Sequence, residues 1–284
     1  MLTTEELKQI RRISLQAGRR VDSLFAGGYR SAFRGRGMEF EEVRPYVPGD
    51  DVRHIDWNVT ARSADEVFVK EFHEERELTL MLALDCSGSM AFGSETDKRL
   101  QMARLAGGLA YAAIRNDDRV GLCVFTDQIE LFVPPRKSRG HAWRVIREVF
   151  EHRPARAGTD VMGAAEHLGK VLKRRAVVCF ISDFLVYQDT RRAMASLASR
   201  HRVHGFVLHD PLEARPPRGS GLVEVVDSET GQGRLVELSS FRGALGVDAR
   251  VAMLRRAGTY ASAVSTTQDP FRVLLSHFER VAHR

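Results

Sequence analysis

Cysteine is scarce in this sequence: there are three, Cys86, Cys123 and Cys179, each within or beside an apolar run. An odd number without C-x-x-C spacing argues against a disulfide framework or a zinc knuckle, so buried free thiols are expected. Long hydrophobic runs are also absent, none reaching the roughly 18 to 20 residues that span a bilayer. The opening stretch, MLTTEELKQIRRISLQAGRR, is charged throughout and has no apolar secretory segment. A cytoplasmic protein is the expectation. No G-x-x-x-x-G-K-[ST] loop occurs, so any ATP hydrolysis must belong to another protein.

Acidic residues are outnumbered. Lys and Arg total 43 against 37 Asp and Glu, giving a formal charge of +6. A basic scaffold for nucleic acid is one reading of that balance. However, Arg alternates with Asp and Glu, as in RPYVPGDDVRHIDW, and no basic stripe carries interleaved aromatics. Nucleic acid is therefore disfavoured as a partner. Hydrophobic content of 43% in 284 residues suits one large domain with a smaller appendage.

Two regions differ in kind. Residues 1–77 form the appendage: Thr3 and Glu6 make a capping box for a helix to about Ala26, ended by Gly27 and Gly28. Gly35, Gly37, Pro45, Pro48 and Gly49 then break the chain into turns before a short strand, VFVKEF, at 67–72. In the Arg44–Arg62 block, Arg44, Asp50, Asp51, Arg53, Asp56 and Arg62 surround Trp57. That density of opposite charge reads as a structural network with Trp57 as its apolar plug, in preference to a second binding surface.

Residues 78–284 alternate strand and helix. Continuous apolar runs at 78–85, 119–125 and 176–182 are expected of strands buried on both faces. A hairpin partner at 129–133, helices near 98–116, 139–150, 160–173, 190–200 and 240–257, and strands at 203–209 and 260–265 complete the pattern, with a closing helix from Pro270. A second hairpin, 222–227 to 234–238, turns at Glu229-Thr230-Gly231. The fold class is α/β: a Rossmann-like, mainly parallel sheet with helices on both faces, plus the turn-rich appendage.

Ligands bind such sheets beyond the carboxyl ends of the strands. LALDCSGSM delivers Asp85, Ser87 and Ser89 to that edge; ARAGTDV adds Thr159 and Asp160, and ISDF adds Asp183. Two or three carboxylates and three hydroxyls thus face one place. Such oxygen donors, without Cys or His, suit Mg²⁺, with Mn²⁺ or Ca²⁺ as substitutes. Each piece also has a plain reading: Ser87 and Ser89 as turn residues, Thr159 or Asp160 as a helix cap, Asp183 as an acceptor for loop amides.

D-C-S-G-S at 85–89, Gly-Thr-Asp at 158–160 and Ser-Asp-Phe at 182–184 resemble the metal-ion-dependent adhesion site of von Willebrand factor A domains. The resemblance implies Asp85, Ser87, Ser89, Thr159 and Asp183 as metal ligands and an acidic residue of a partner as the sixth. RGRGMEFEEVRPYVPGDDVRHIDWNVTARS, VKEFHEERELTLML, FVPPRK and DPFRVLLSHFERV are similar to the bacterial "domain of unknown function fifty-eight" family. That likeness implies a partner among AAA+ ATPases of the MoxR type. In the family an Asp usually follows the His at 201, where this chain has Arg202. The function expected is a non-enzymatic, metal-dependent adaptor or client recruiter for such an ATPase. The alternative of a Mg²⁺-dependent phosphohydrolase lacks the second acid two residues after Asp85, because Ser87 stands there.

Overall fold

A computed structural model of the chain describes residues 38–63, 66–74, 78–185, 189–214, 219, 221–237 and 246–282. The helix expected at 3–26 lies outside them, as does the start of the one expected near 240. The described residues fall into two compact units, one between Arg34 and Leu78 and the other from Thr79 onward.

The small unit is built on a strand pair, β1 (Met38–Pro45) antiparallel to β2 (Phe68–Glu74). The sequence pattern hides β1, because a register shift between Phe40 and Glu42 breaks its alternation and three of its residues are Glu. Arg44 grips Asp50 with two bonds of 2.7 and 2.8 Å, and Arg53 pairs with the adjacent Asp51. Asp56 caps the one-turn helix α1 (Trp57–Thr60) and lies 3.4 Å from Lys70. These charges organise turns locally. Trp57 is no plug: it is 68% exposed at the first turn of α1, while its neighbour Asp56 is the buried residue.

The large unit carries a six-stranded sheet. Its strands are β3 (Thr79–Asp85), β4 (Arg119–Phe125), β5 (Ile129–Arg136), β6 (Val177–Ser182), β7 (Arg202–His209) and β10 (Tyr260–Ser265). They lie in the order β10-β7-β6-β3-β4-β5, parallel except for β5 at the edge. The hairpin β8 (Leu222–Val226) and β9 (Gly233–Glu237) stands outside the sheet. This is the expected Rossmann-like arrangement, a mainly parallel sheet with helices on both faces.

Helices cover both faces. On one lie α2 (Lys98–Arg115), α3 (Arg139–Glu151) and α8 (Pro270–Ala282); on the other lie α4 (Val161–Val171), α5 (Arg191–Arg200) and α7 (Val247–Arg256). A short helix, α6 (Pro211–Ala214), follows β7. Leu80 through Leu84 of β3 are wholly buried because alternate side chains meet the two layers. Gly108 lets α2 and α8 close up, since a Cβ there would stand 2.8 Å from the Phe271 ring. All three cysteines are buried and free, and burial pushes the Cys86 and Cys123 thiols up to about 12.

A buried histidine pair ties β7 to α8. His204 Nδ1 and His277 Nε2 lie 2.8 Å apart, and His277 Nδ1 is 2.6 Å from Ser262 Oγ. Burial and nearby Arg280 push His277 down to about 3, and burial beside His277 holds His204 well below its ordinary value. The folded pair stays neutral while the unfolded chain takes up protons below about pH 6.5, so acid favours unfolding. Between about pH 7.5 and 5.5 each histidine should remove about 1.4 kcal/mol of stability. In urea titrations, a His204→Phe/His277→Phe variant is expected to lose about 2.7 kcal/mol less over that interval than wild type. Equal losses would show that the pair accepts protons inside the fold.

Candidate functional site

From β3 the chain runs outward through β4 to β5, then returns to the other side of β3 and runs outward again through β6, β7 and β10. β3 and β6 are therefore neighbours from which the chain departs in opposite directions. Such a reversal is where open α/β sheets form a ligand-binding crevice, beyond the carboxyl ends of the strands. Leu84 pairs with Ile181, so β3 presents Asp85 beside Ser182 and Asp183.

Asp85 is wholly buried. Its Oδ1 accepts from the Ser87 amide at 2.9 Å and its Oδ2 from the Ser182 hydroxyl at 2.6 Å. Burial, with the charge of Asp183 added, pushes its carboxyl up to about 7 against the pull of those two serines. Among the described residues no Lys or Arg forms an ion pair with it. Ser87 Oγ and Ser89 Oγ lie 3.1 Å apart, both nearly inaccessible, and Ser87 begins a 3₁₀ turn, Gly88–Ala91. Ser182 Oγ in turn accepts from the Phe184 amide at 2.8 Å. Phe184 has φ of +52°, a conformation costly for a bulky side chain and held here by burial and that bond.

The third loop is tied to the first by a bond of 2.8 Å from the Gly88 amide to the Ala157 carbonyl. Asp160 does not join the site. It caps α4, accepting from the Gly163 amide at 2.9 Å, which reduces the expected carboxylates to two. Thr159 is half-buried, and its hydroxyl donates to Glu229 Oε1 at 2.7 Å. Glu229 sits on the turn between β8 and β9. The same turn passes over Gly88 so closely that a Cβ there would stand 1.9 Å from the Ser228 carbonyl oxygen.

Asp183 is engaged by a buried cation. Lys98 Nζ, at the start of α2, lies 2.6 Å from Asp183 Oδ2 and 2.6 Å from Glu213 Oε1. Arg250 donates to the Asp183 carbonyl at 2.5 Å, and Asp183 Oδ1 accepts from the Leu185 amide, one of the roles foreseen for it. Asp210, beyond β7, is a structural hub: it accepts from Ser94, Leu212 and Thr266.

Sequence reasoning missed Lys98, Glu213, Arg250 and Glu229. Lys98 had a weak signal, being a cation at the head of the helix that follows D-x-S-x-S; the other three had none. Among the described residues no group of three or more His, Cys, Asp or Glu is placed to hold a metal, so an ion here would depend on hydroxyls. The donor set near Asp85 is all oxygen and suits a hard dication. No helix of the described residues is long and apolar enough to cross a membrane.

Residues 42–252 match the family described as "Protein of unknown function DUF58". An uncharacterized protein of Mycobacterium tuberculosis (strain ATCC 25618 / H37Rv), Rv1480, is 31% identical over 225 residues, covering 78% of this chain and 70% of its own. Among solved structures, a conserved hypothetical protein, BatB from Bacteroides thetaiotaomicron, superposes with a TM-score of 0.52 at 14% identity, over 73% of this chain and 100% of its own. An aerotolerance-related membrane protein from Bacteroides fragilis NCTC 9343 gives 0.51 at 16% identity over the same shares. At those identities the two structures speak to the fold alone.

Proposed function

The chain belongs to the DUF58 family, and on that footing we propose that it is a non-enzymatic protein-interaction module joined to its partner through a divalent cation at the β3–β6 crevice. The observation that carries this reading is Asp85: a wholly buried carboxylate at a strand end, beside two buried hydroxyls, with no cation against it among the described residues. Such a group is costly to leave charged unless a cation shares its burial. Asp85, Ser87 and Ser89 would hold Mg²⁺, with Thr159 and Asp183 completing the set. When bound, a dication held largely by neutral hydroxyls remains electrophilic and attracts a carboxylate from outside.

The partner is then a protein with an exposed acidic side chain. The family resemblance implies an AAA+ ATPase of the MoxR type, for which this chain would recruit or hold a client. Lys98 offers no support for phosphohydrolase chemistry, because it is buried and already shared by Asp183 and Glu213.

Tagged wild type and Asp85→Ala, each with Mg²⁺ and with EDTA, test the reading in a pull-down with the purified ATPase. Recovery is expected only with Mg²⁺ and intact Asp85, at least tenfold above the other three conditions. Equal recovery in all four would remove the metal as the joint, with circular dichroism confirming that the variant is folded.

A further inference from the structure

We infer that the site has an acidic ligand of its own: Glu229, carried in by the β8–β9 hairpin, takes the place that a partner's carboxylate would otherwise fill. The inference rests on the reading of the crevice as a metal site, and names which residue of this chain competes there.

Two independent contacts place the hairpin tip on the site. Glu229 Oε1 receives the Thr159 hydroxyl at 2.7 Å, and Thr159 is one of the five residues of the candidate set. The Ser228 carbonyl passes over Gly88, between Ser87 and Ser89, with no room for a Cβ. Asp227 shapes the turn by accepting from the amides of Glu229 and Thr230 at 2.9 and 3.0 Å. Glu229 is half-buried there, whereas four of the five residues in each strand behind it are exposed. An arm that is exposed along its length and docked by its tip, carboxylate first, on a hydroxyl of an all-oxygen site has the form of a tethered ligand. Intramolecular attachment keeps its effective concentration on the order of millimolar, so an outside carboxylate must displace it.

The test uses the full chain, stripped with EDTA and titrated with MgCl₂ by calorimetry, with hydrogen exchange of 222–237 followed in parallel. Glu229→Ala is expected to weaken Mg²⁺ binding about tenfold, since a charged donor is lost. Glu229→Gln should fall nearer the Ala variant than wild type. Mg²⁺ should slow exchange at the hairpin tip about tenfold in wild type and leave it unchanged in Glu229→Ala. If Glu229→Ala binds Mg²⁺ as tightly as wild type while Asp85→Ala does not bind, the inference fails and the metal reading stands. If wild type takes up no Mg²⁺, both fail together.

Discussion

Lys98→Met is expected to destabilise the protein by about 3–5 kcal/mol at neutral pH, because it leaves buried carboxylates without their cation. The Lys98 and Asp183 side chains are each 1% exposed and Glu213 is 12% exposed. Both ion pairs close at 2.6 Å on a single ammonium. Removing it takes away the ion-pair partner of both carboxylates at once and leaves them only the charge of Arg250, which bonds the Asp183 carbonyl, whereas methionine still fills the volume. Urea unfolding in EDTA measures the loss. A loss below about 1 kcal/mol, the range of exposed pairs, would show that solvent already screens this one. The same variant discriminates a metal role for Asp183. With Lys98 gone, the ammonium no longer competes for that carboxylate, so saturating Mg²⁺ should stabilise Lys98→Met more than it stabilises wild type. At a hundred times Kd the gain from binding is about 2.7 kcal/mol.

Asp85→Asn should reverse its effect on stability with the metal. Without metal, the folded carboxyl titrates at about 7, raised first by burial and then by Asp183. The unfolded group titrates near 3.9, so the fold binds more protons between those values, and metal-free stability falls as pH rises through that window. Above pH 7 the whole effect is in force, up to about 4 kcal/mol. Asparagine removes the charge, keeps one acceptor for Ser87 or Ser182, and adds an amide that needs a partner. A net gain of about 1–3 kcal/mol remains in EDTA at pH 8. With saturating Mg²⁺ the order should invert, because wild type gains about 2.7 kcal/mol at a hundred times Kd and the variant gains nothing. Thermal unfolding at pH 8, with and without Mg²⁺, gives the comparison. An Asn variant less stable than wild type in EDTA would show that Asp85 is already well solvated or paired in the fold.

The central parallel strands were readable because burial on both faces writes them as unbroken apolar runs: β4 has the bounds the sequence suggested. Asp85 and Asp183 were readable for a related reason, each being the first acid after such a run. The strand β1 was not, since a bulge and three glutamates obscure its period. Cap and ligand look alike locally, which is why Asp160 stood beside Thr159 as a candidate until its bond to the Gly163 amide decided the matter. Glu229 lies 70 residues from the threonine it meets, and Lys98 lies 85 from Asp183. No local pattern encodes contacts of that range; they exist only once the sheet and its connections are formed.

The strand order also sets how long the sheet stays incomplete as the chain is made. β3 finds β4 soon after it emerges, but its other edge waits for β6, and roughly ninety residues separate Asp85 from Val177. At ribosomal rates of about 5–20 residues per second, that edge stands unpaired for roughly 5–20 s, with the apolar run Leu80–Leu84 beside it. An open apolar edge is a template for pairing with other chains. Of all neighbouring strands in this sheet, the pair that brings the two carboxylates together is the one whose seam takes longest to close.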